Sequence, residues 1–330
     1  MTKPLTQTER KRRVNSIGAA ATTGGVEYAL PSVDMDAAIS AFLRYCNVRN
    51  LTVDTVKYYS DSLGELKRLM AAQSVIRPID IEQEHLYTCI ERKQEQGNVS
   101  DTTINTYLRA WRAFFNYLTD EAFLTINPFS GLKLLKTEKK IIETFSKEQI
   151  RKLLDTPNKQ TFTGYRNYLL MSVLLDTGVR ISEAEGIKIT GIQWRERLIK
   201  VYGKGRKERL VPFQSTLERH LREFITIRGP LDHDFLFVNI DNEPWRMRSM
   251  QEVIADIGLE AGIKGVRCSP HTFRHTFARL YITNGGDIFS LQKILGHTTL
   301  DMVRNYVNLW GTDVSRQHAK FSPLDRLDED

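Results

Sequence analysis

The chain has 330 residues, 41% of them hydrophobic and 26% charged, the balance of a soluble globular protein with length enough for two domains. No apolar run approaches the roughly 18 residues that span a bilayer. The polar start Met1–Arg13 lacks the apolar core of a secretory signal, and the three scattered cysteines, Cys46, Cys89 and Cys268, argue against a disulfide framework or a cysteine-ligated metal and suit a reducing cytoplasm. The formal net charge of +7 favours polyanions, because each Lys or Arg set on a phosphate releases condensed counterions.

Residues 1–33 carry Arg10, Lys11, Arg12 and Arg13 and then the small-residue stretch Gly18 to Gly25, which reads as a flexible basic arm, either merely solvated or reading DNA. Residues 34–128 read as four helices. Met35, Ala38, Ile39, Phe42, Leu43 and Cys46 keep helical spacing; Thr52 caps a second helix with Val56, Tyr59, Leu63 and Leu66 on one face. Asp80 is positioned to cap a third helix running to Gly97, and Ser100 a fourth, in which Ile104, Tyr107, Leu108, Trp111, Phe114, Phe115 and Leu118 recur at three and four. The polar faces present Lys57, Asn105, Arg109 and Arg112, as a solvated surface or as DNA contacts.

Asn127-Pro128 and Gly131 break the pattern, and Lys133, Lys136, Lys139 and Lys140 follow, so residues 129–145 read as a basic linker. A flexible tether of this kind suits a clamp that opens to admit duplex DNA. Residues 146–312 form the second domain. Ser146 and Gln149 make a capping box, two helices follow, and Ile187–Trp194, Leu198–Tyr202 and Glu208–Phe213 predict a three-stranded antiparallel sheet before the chain turns helical again. The fold class is therefore mainly α with a small antiparallel sheet.

The chemistry gathers at five places. Arg180 follows Thr177-Gly178 at a corner between helices, where a guanidinium fork points outward at an oxyanion or pairs with Glu183. Lys204 stands between Gly203 and Gly205, ahead of Arg206, Lys207 and Arg209, at a cationic β-turn whose glycines permit close approach. Ser269-Pro270 opens a helix that carries His271 and Arg274 on one face, near its amide-rich start. His275 completes a spacing also used by zinc, but Thr272 stands where the zinc-protease glutamate belongs. Gly296 ends the Ile288–Leu295 helix ahead of His297, and Tyr306 lies on the next. A helical tyrosine is a nucleophile only where cations stabilise its phenolate and the pentavalent phosphoryl transition state.

In this order, Arg180 in Thr-Gly-Val-Arg-Ile-Ser-Glu, Gly-Lys204-Gly, His271-x-x-Arg274, Leu-Gly-His297 and Tyr306 resemble the tyrosine recombinase, or phage integrase, family over residues 34–323. The resemblance implies a four-helix, SAM-like core-binding domain and a mixed α/β catalytic domain. It implies that Tyr306 attacks a DNA phosphate, leaving a 3′-phosphotyrosyl link and a 5′-hydroxyl. Arg180 and Arg274 then neutralise the non-bridging oxygens, Lys204 protonates the 5′-oxygen, His271 accepts the tyrosine proton and His297 bonds the phosphate, with Glu183 bracing Arg180 or His271. Lys57, Asn105, Arg109, Arg112, Arg206 and Lys207 become candidate DNA contacts. No metal, ATP or other cofactor is implied. The implied partners are double-stranded DNA with inverted-repeat core sites, a tetramer of this chain and accessory DNA-bending or directionality proteins. Residues 313–330, together with Val307, Leu309 and Trp310, are expected to dock on a neighbouring protomer or on their own domain. The 33 residues before the first helix are too few for a separate arm-binding domain, as in a two-domain, Xer-like layout. Two competing classes are a type IB topoisomerase and a binding-only repressor or architectural protein on the same scaffold.

Overall fold

The structure, a computed structural model, describes residues 33–137, 143–203 and 207–296, with His318 and Ser322. The described residues form two compact units that part at Glu138/Lys139.

The first unit consists of α1 (Met35–Val48), α2 (Val53–Ala71), α3 (Gln83–Glu95) and α4 (Asp101–Asp120). Asp34, Thr52 and Ser100 each lend a side-chain oxygen to the amide three residues on, which satisfies a donor the helix start would otherwise leave unpaired. Asp80 does not cap α3. Arg77 takes its carboxylate at 2.7 Å, and the helix begins later, with Glu82 at the cap position donating its N–H to His85 Nδ1 at 3.0 Å. The α4 residues Ile104, Leu108, Trp111, Phe114, Phe115 and Leu118 are fully buried, and Trp111 satisfies its indole N–H on the Ser62 carbonyl at 2.8 Å.

Phe129 and Leu132 are buried in this same core, so packed chain continues past residue 128 into the stretch expected to be linker. Asn105 holds that stretch from both ends of its amide: Nδ2 donates to the Leu135 carbonyl at 2.9 Å and Oδ1 accepts from the Leu135 N–H at 2.8 Å.

Lys93 is buried against Glu65 at 2.5 Å and under the Tyr107 ring at 4.6 Å. The Arg68 hydrogen bond, joined by that of Lys93 and both their charges, outweighs burial and pulls the Glu65 carboxyl from its ordinary 4.5 down to about 2. Since the folded value lies below the unfolded one, the stabilisation is full above about pH 4.5 and is lost as the pH falls toward 2. Glu65→Gln should destabilise this unit by about 3 kcal/mol, and Glu65→Leu with Lys93→Met by much less, because only the single change strands a buried charge. Denaturant unfolding of the full chain measures both.

The second unit contains α5 (Lys147–Asp155), α6 (Phe162–Thr177), α7 (Ile181–Glu185), β1 (Ile192–Gln193), β2 (Leu198–Tyr202), β3 (Glu208–Pro212), α8 (Ser215–Arg228), α9 (Met247–Glu260), α10 (Pro270–Thr283) and α11 (Ile288–Leu295). Ser146 and Gln149 form the expected capping box at α5. The strands run antiparallel in the order β1-β2-β3, with Ile199 opposite Val211 and Val201 opposite Arg209. The first strand is much shorter than Ile187–Trp194. Its opening residues are engaged elsewhere: the Ile187 carbonyl accepts from Leu236 N–H, Ile189 N–H donates to the Asp234 carbonyl, and Ile189–Gly191 coil into a 3₁₀ turn. Leu169, Leu170, Val173 and Leu174 make α6 the apolar centre, and α8 and α10 pack on it. Among the described residues no helix is long and apolar enough to cross a membrane.

Candidate active site

The site is built at three chain reversals. The first is the end of α6, where Gly178 takes the left-handed conformation at φ 62°. The chain turns so sharply there that a Cβ on Gly178 would lie 2.3 Å from Phe277 Cδ1. Arg180 occupies the cap position of α7, and the Glu183 carboxylate accepts from its backbone N–H at 2.7 Å and from Nη1 at 3.1 Å. Glu183 is buried, while the Arg180 side chain keeps about a third of its surface open to solvent.

The second reversal is the start of α10. Ser269 caps it by accepting from Thr272 N–H, and Pro270 takes the first turn, as the sequence predicts. Arg274, on the next turn, is buried; Nη1 donates to the Gly178 carbonyl and Nη2 to the Leu295 carbonyl, both at 2.6 Å. Arg180 Nη1 approaches that same Leu295 carbonyl at 3.5 Å. The two guanidiniums, 94 positions apart in sequence, therefore converge on the end of α11.

His271 is exposed one turn ahead of Arg274. The protein behind the ring penalises its charged form, and the Arg274, Arg180 and Arg267 charges add to this, so its pKa falls below the ordinary 6.5. Burial, helped by His271 and Arg274, takes His275 down to about 4. Both rings are thus neutral imidazoles at neutral pH. They line a groove of about 1100 Å³ together with Arg248, Arg267, Cys268 and Glu143. Among the described residues no three His, Cys, Asp or Glu side chains gather as a metal site would require.

The third reversal is the β2–β3 hairpin. Gly203 N–H donates to the Lys207 carbonyl at 2.8 Å and closes its base. Lys204 and Arg206 lie outside the described residues, as do His297 and Tyr306. Gly203, the residue before Lys204, sits against the ion pair: a Cβ there would be 3.4 Å from Glu183 Oε1.

Lys57, Arg109 and Lys207 are exposed. Asn105 is not on that surface. It is 4% exposed, and both ends of its amide are taken by Leu135, so it serves the fold rather than a ligand. Arg112 also departs from the face expected for it beside Arg109: its guanidinium lies over the Phe129 ring at 5.5 Å and donates to the Leu132 carbonyl at 2.7 Å.

Arg209 is the residue whose role the sequence left unread. It was one cation of a basic hairpin, yet it grips Glu183 with both Nη atoms, at 2.5 and 2.8 Å, and donates Nε to the Ile294 carbonyl at 3.0 Å. The available signal was alternation: Arg209 shares its face of β3 with Val211, which is buried. Burial would raise the Glu183 pKa, but the Arg209 bonds, the Arg180 amide and the two positive charges outweigh it and hold the carboxyl below its ordinary value.

The phage integrase family matches residues 143–310, and the phage integrase N-terminal SAM-like domain matches residues 39–122. The chain belongs to the phage integrase family, the tyrosine recombinases. It is 27% identical over 295 residues to tyrosine recombinase XerD of Staphylococcus haemolyticus, covering 88% of this chain and 99% of that protein. Its fold is similar to that of XerH site-specific recombinase bound to a palindromic difH substrate after cleavage, with TM-score 0.67, 22% identity, and coverage of 88% of this chain and 85% of that one. It is also similar to a lambda integrase tetramer bound to a Holliday junction, with TM-score 0.69, 16% identity, and coverage of 81% and 78%.

Gly178→Ala tests the corner. A left-handed alanine that must also displace Phe277 should cost about 2–4 kcal/mol of stability in denaturant unfolding.

Proposed function

We propose that this chain is a site-specific recombinase that cleaves and rejoins double-stranded DNA through a 3′-phosphotyrosyl intermediate formed on Tyr306. The observation that carries the reading is the convergence of Arg180 and Arg274 on the Leu295 carbonyl, directly ahead of Gly296-His297. A phosphate bound there meets two guanidinium forks, whose charge matches the two non-bridging oxygens as negative charge builds on them.

In the proposed step the Tyr306 hydroxyl gives its proton to neutral His271. Its oxygen then attacks phosphorus in line, forming the tyrosyl P–O bond as the bond to the 5′-oxygen breaks. Lys204 protonates that leaving oxygen, and His297 donates a hydrogen bond to the phosphate. Rejoining reverses each transfer, with a 5′-hydroxyl from the partner strand as nucleophile. One phosphoester is exchanged for another, so the bond energy is retained and neither ATP nor a metal enters the balance.

The domain division that goes with this reading is an arm at 1–33, a core-binding domain at 34–128, a linker at 129–145, a catalytic domain at 146–312 and a docking tail at 313–330. Within that proposed linker, Phe129, Leu132 and Leu135 pack on the first unit and Phe145 is buried in the core of the second. Lys57, Arg109, Arg206 and Lys207 are the proposed DNA contacts. Four copies on two inverted-repeat core sites, with accessory DNA-bending proteins, acting in the cytoplasm, complete the proposal. The DNA-bound and tetrameric relatives support this assembly.

A duplex selected from a random-sequence pool by the full-length chain, then nicked near its centre, serves as suicide substrate. Wild type should form a covalent protein–DNA adduct and Tyr306→Phe none, although both bind. Binding without any adduct would favour the repressor or architectural reading, and relaxation of supercoiled plasmid regardless of site would favour the topoisomerase.

The same assay has a pH signature. Because the folded pKa of His271 lies below 6.5, its proton-accepting form dominates at neutral pH. The rate of adduct formation at limiting protein should hold level on acidification until the pH is below 6.5 and then fall. His271→Gln should remove that acidic limb.

A further inference from the structure

The hairpin register sets Arg209 opposite Val201, a side chain with no exposure, so the pleat turns Arg209 toward the interior. There it touches Glu183, the base of the hairpin and the end of α11. Its Nη atoms hold Glu183, which in turn holds the backbone and the guanidinium of Arg180. A Cβ on Gly203, next to Lys204, would be 3.7 Å from Arg209 Nη1. Nε bonds the Ile294 carbonyl, and a Cβ on Gly296, next to His297, would be 3.1 Å from Arg209 Cδ and Nε.

We infer that Arg209 is a positioning residue for DNA cleavage, acting through Glu183 and the end of α11 rather than on DNA. The inference rests on the reading of Arg180 and Arg274 as the phosphate clamp. Glu183 is a buried carboxylate that needs a cation. Arg209 supplies it with a bidentate grip, while Arg180 gives the carboxylate one longer side-chain bond at 3.1 Å. Arg180 thereby keeps the rest of its fork for phosphate. Without Arg209, the full charge of Glu183 falls to Arg180, which is drawn inward, and the hairpin and the run into His297 lose their common anchor.

The full-length chain, Arg209→Gln, Arg209→Lys, Glu183→Gln and the double variant Arg209→Gln/Glu183→Gln are compared on the selected nicked duplex. Gel shift across a salt series reads binding, and adduct formation at saturating protein reads chemistry. Arg209→Gln should bind as wild type with an unchanged salt slope and cleave about 100-fold more slowly, the scale of loss for misplaced catalytic groups. The double variant should be no slower than the slower single variant, since both changes break one unit. Arg209→Lys keeps the cation without the fork; it should melt as wild type, recover part of the rate and carry the test if Arg209→Gln does not fold. A wild-type rate for either Arg209 variant overturns the inference, as do losses that multiply in the double variant. So does weaker binding with a salt slope smaller by about one, the mark of a direct phosphate contact. Arg180→Ala on the same duplex tests the clamp separately: cleavage at the wild-type rate there sinks the clamp reading whatever Arg209 does.

Discussion

A single buried carboxylate, Glu183, accepts from two guanidiniums and one backbone amide, and the proposed active site is arranged around it. Removing such a group from water costs several kcal/mol, which only close and well-aligned partners offset. That requirement is strict enough to fix geometry. It holds Arg180 at the start of α7, engages Arg209 where the pleat of β3 turns it inward, and through Arg209 fastens the end of α11.

Arg274 is held by different means. Its bonds to the Gly178 and Leu295 carbonyls orient the guanidinium without cancelling its charge. A carbonyl dipole is a weaker competitor for a guanidinium than a carboxylate, which suits the phosphate-binding role proposed for Arg274. The acceptor at Gly178 exists because the chain reverses there in the left-handed conformation, and the one at Leu295 because Gly296, at φ 63°, ends α11 in the same way. Two glycine-terminated helices thus supply the carbonyls that hold the second arginine.

Much of this was legible from the residues. Thr52, Ser100, Ser146 and Ser269 cap helices as their chemistry predicts, Gly178 and Gly296 end them, and the three-and-four spacing in α4 marks its buried face. Arg180, Glu183, His271 and Arg274 were named from motif and position, and the structure places all four in the second unit around the end of α6 and the start of α10. What escaped the sequence was the direction of long side chains. Asn105 and Arg112 lie on a helix with polar neighbours, and nothing local reveals that residues 129–135 fold back to take their hydrogen bonds. Asp80 looked like a cap until Arg77 claimed it. The first strand failed because Ile187 and Ile189 bond a segment more than 40 residues away, a competition invisible to a local pattern. Arg209 sat among cations, which concealed the period-two alternation that turned it inward.

The most direct test is the ionisation of Glu183 itself. Carboxyl-carbon NMR of the full chain, with the resonance assigned by its disappearance in Glu183→Gln, follows its titration. The expected result is a carboxylate at neutral pH that titrates below the ordinary 4.5, and that moves upward in Arg209→Gln. A Glu183 resonance that titrates above 4.5 in the wild-type chain, or that is indifferent to Arg209, would contradict it.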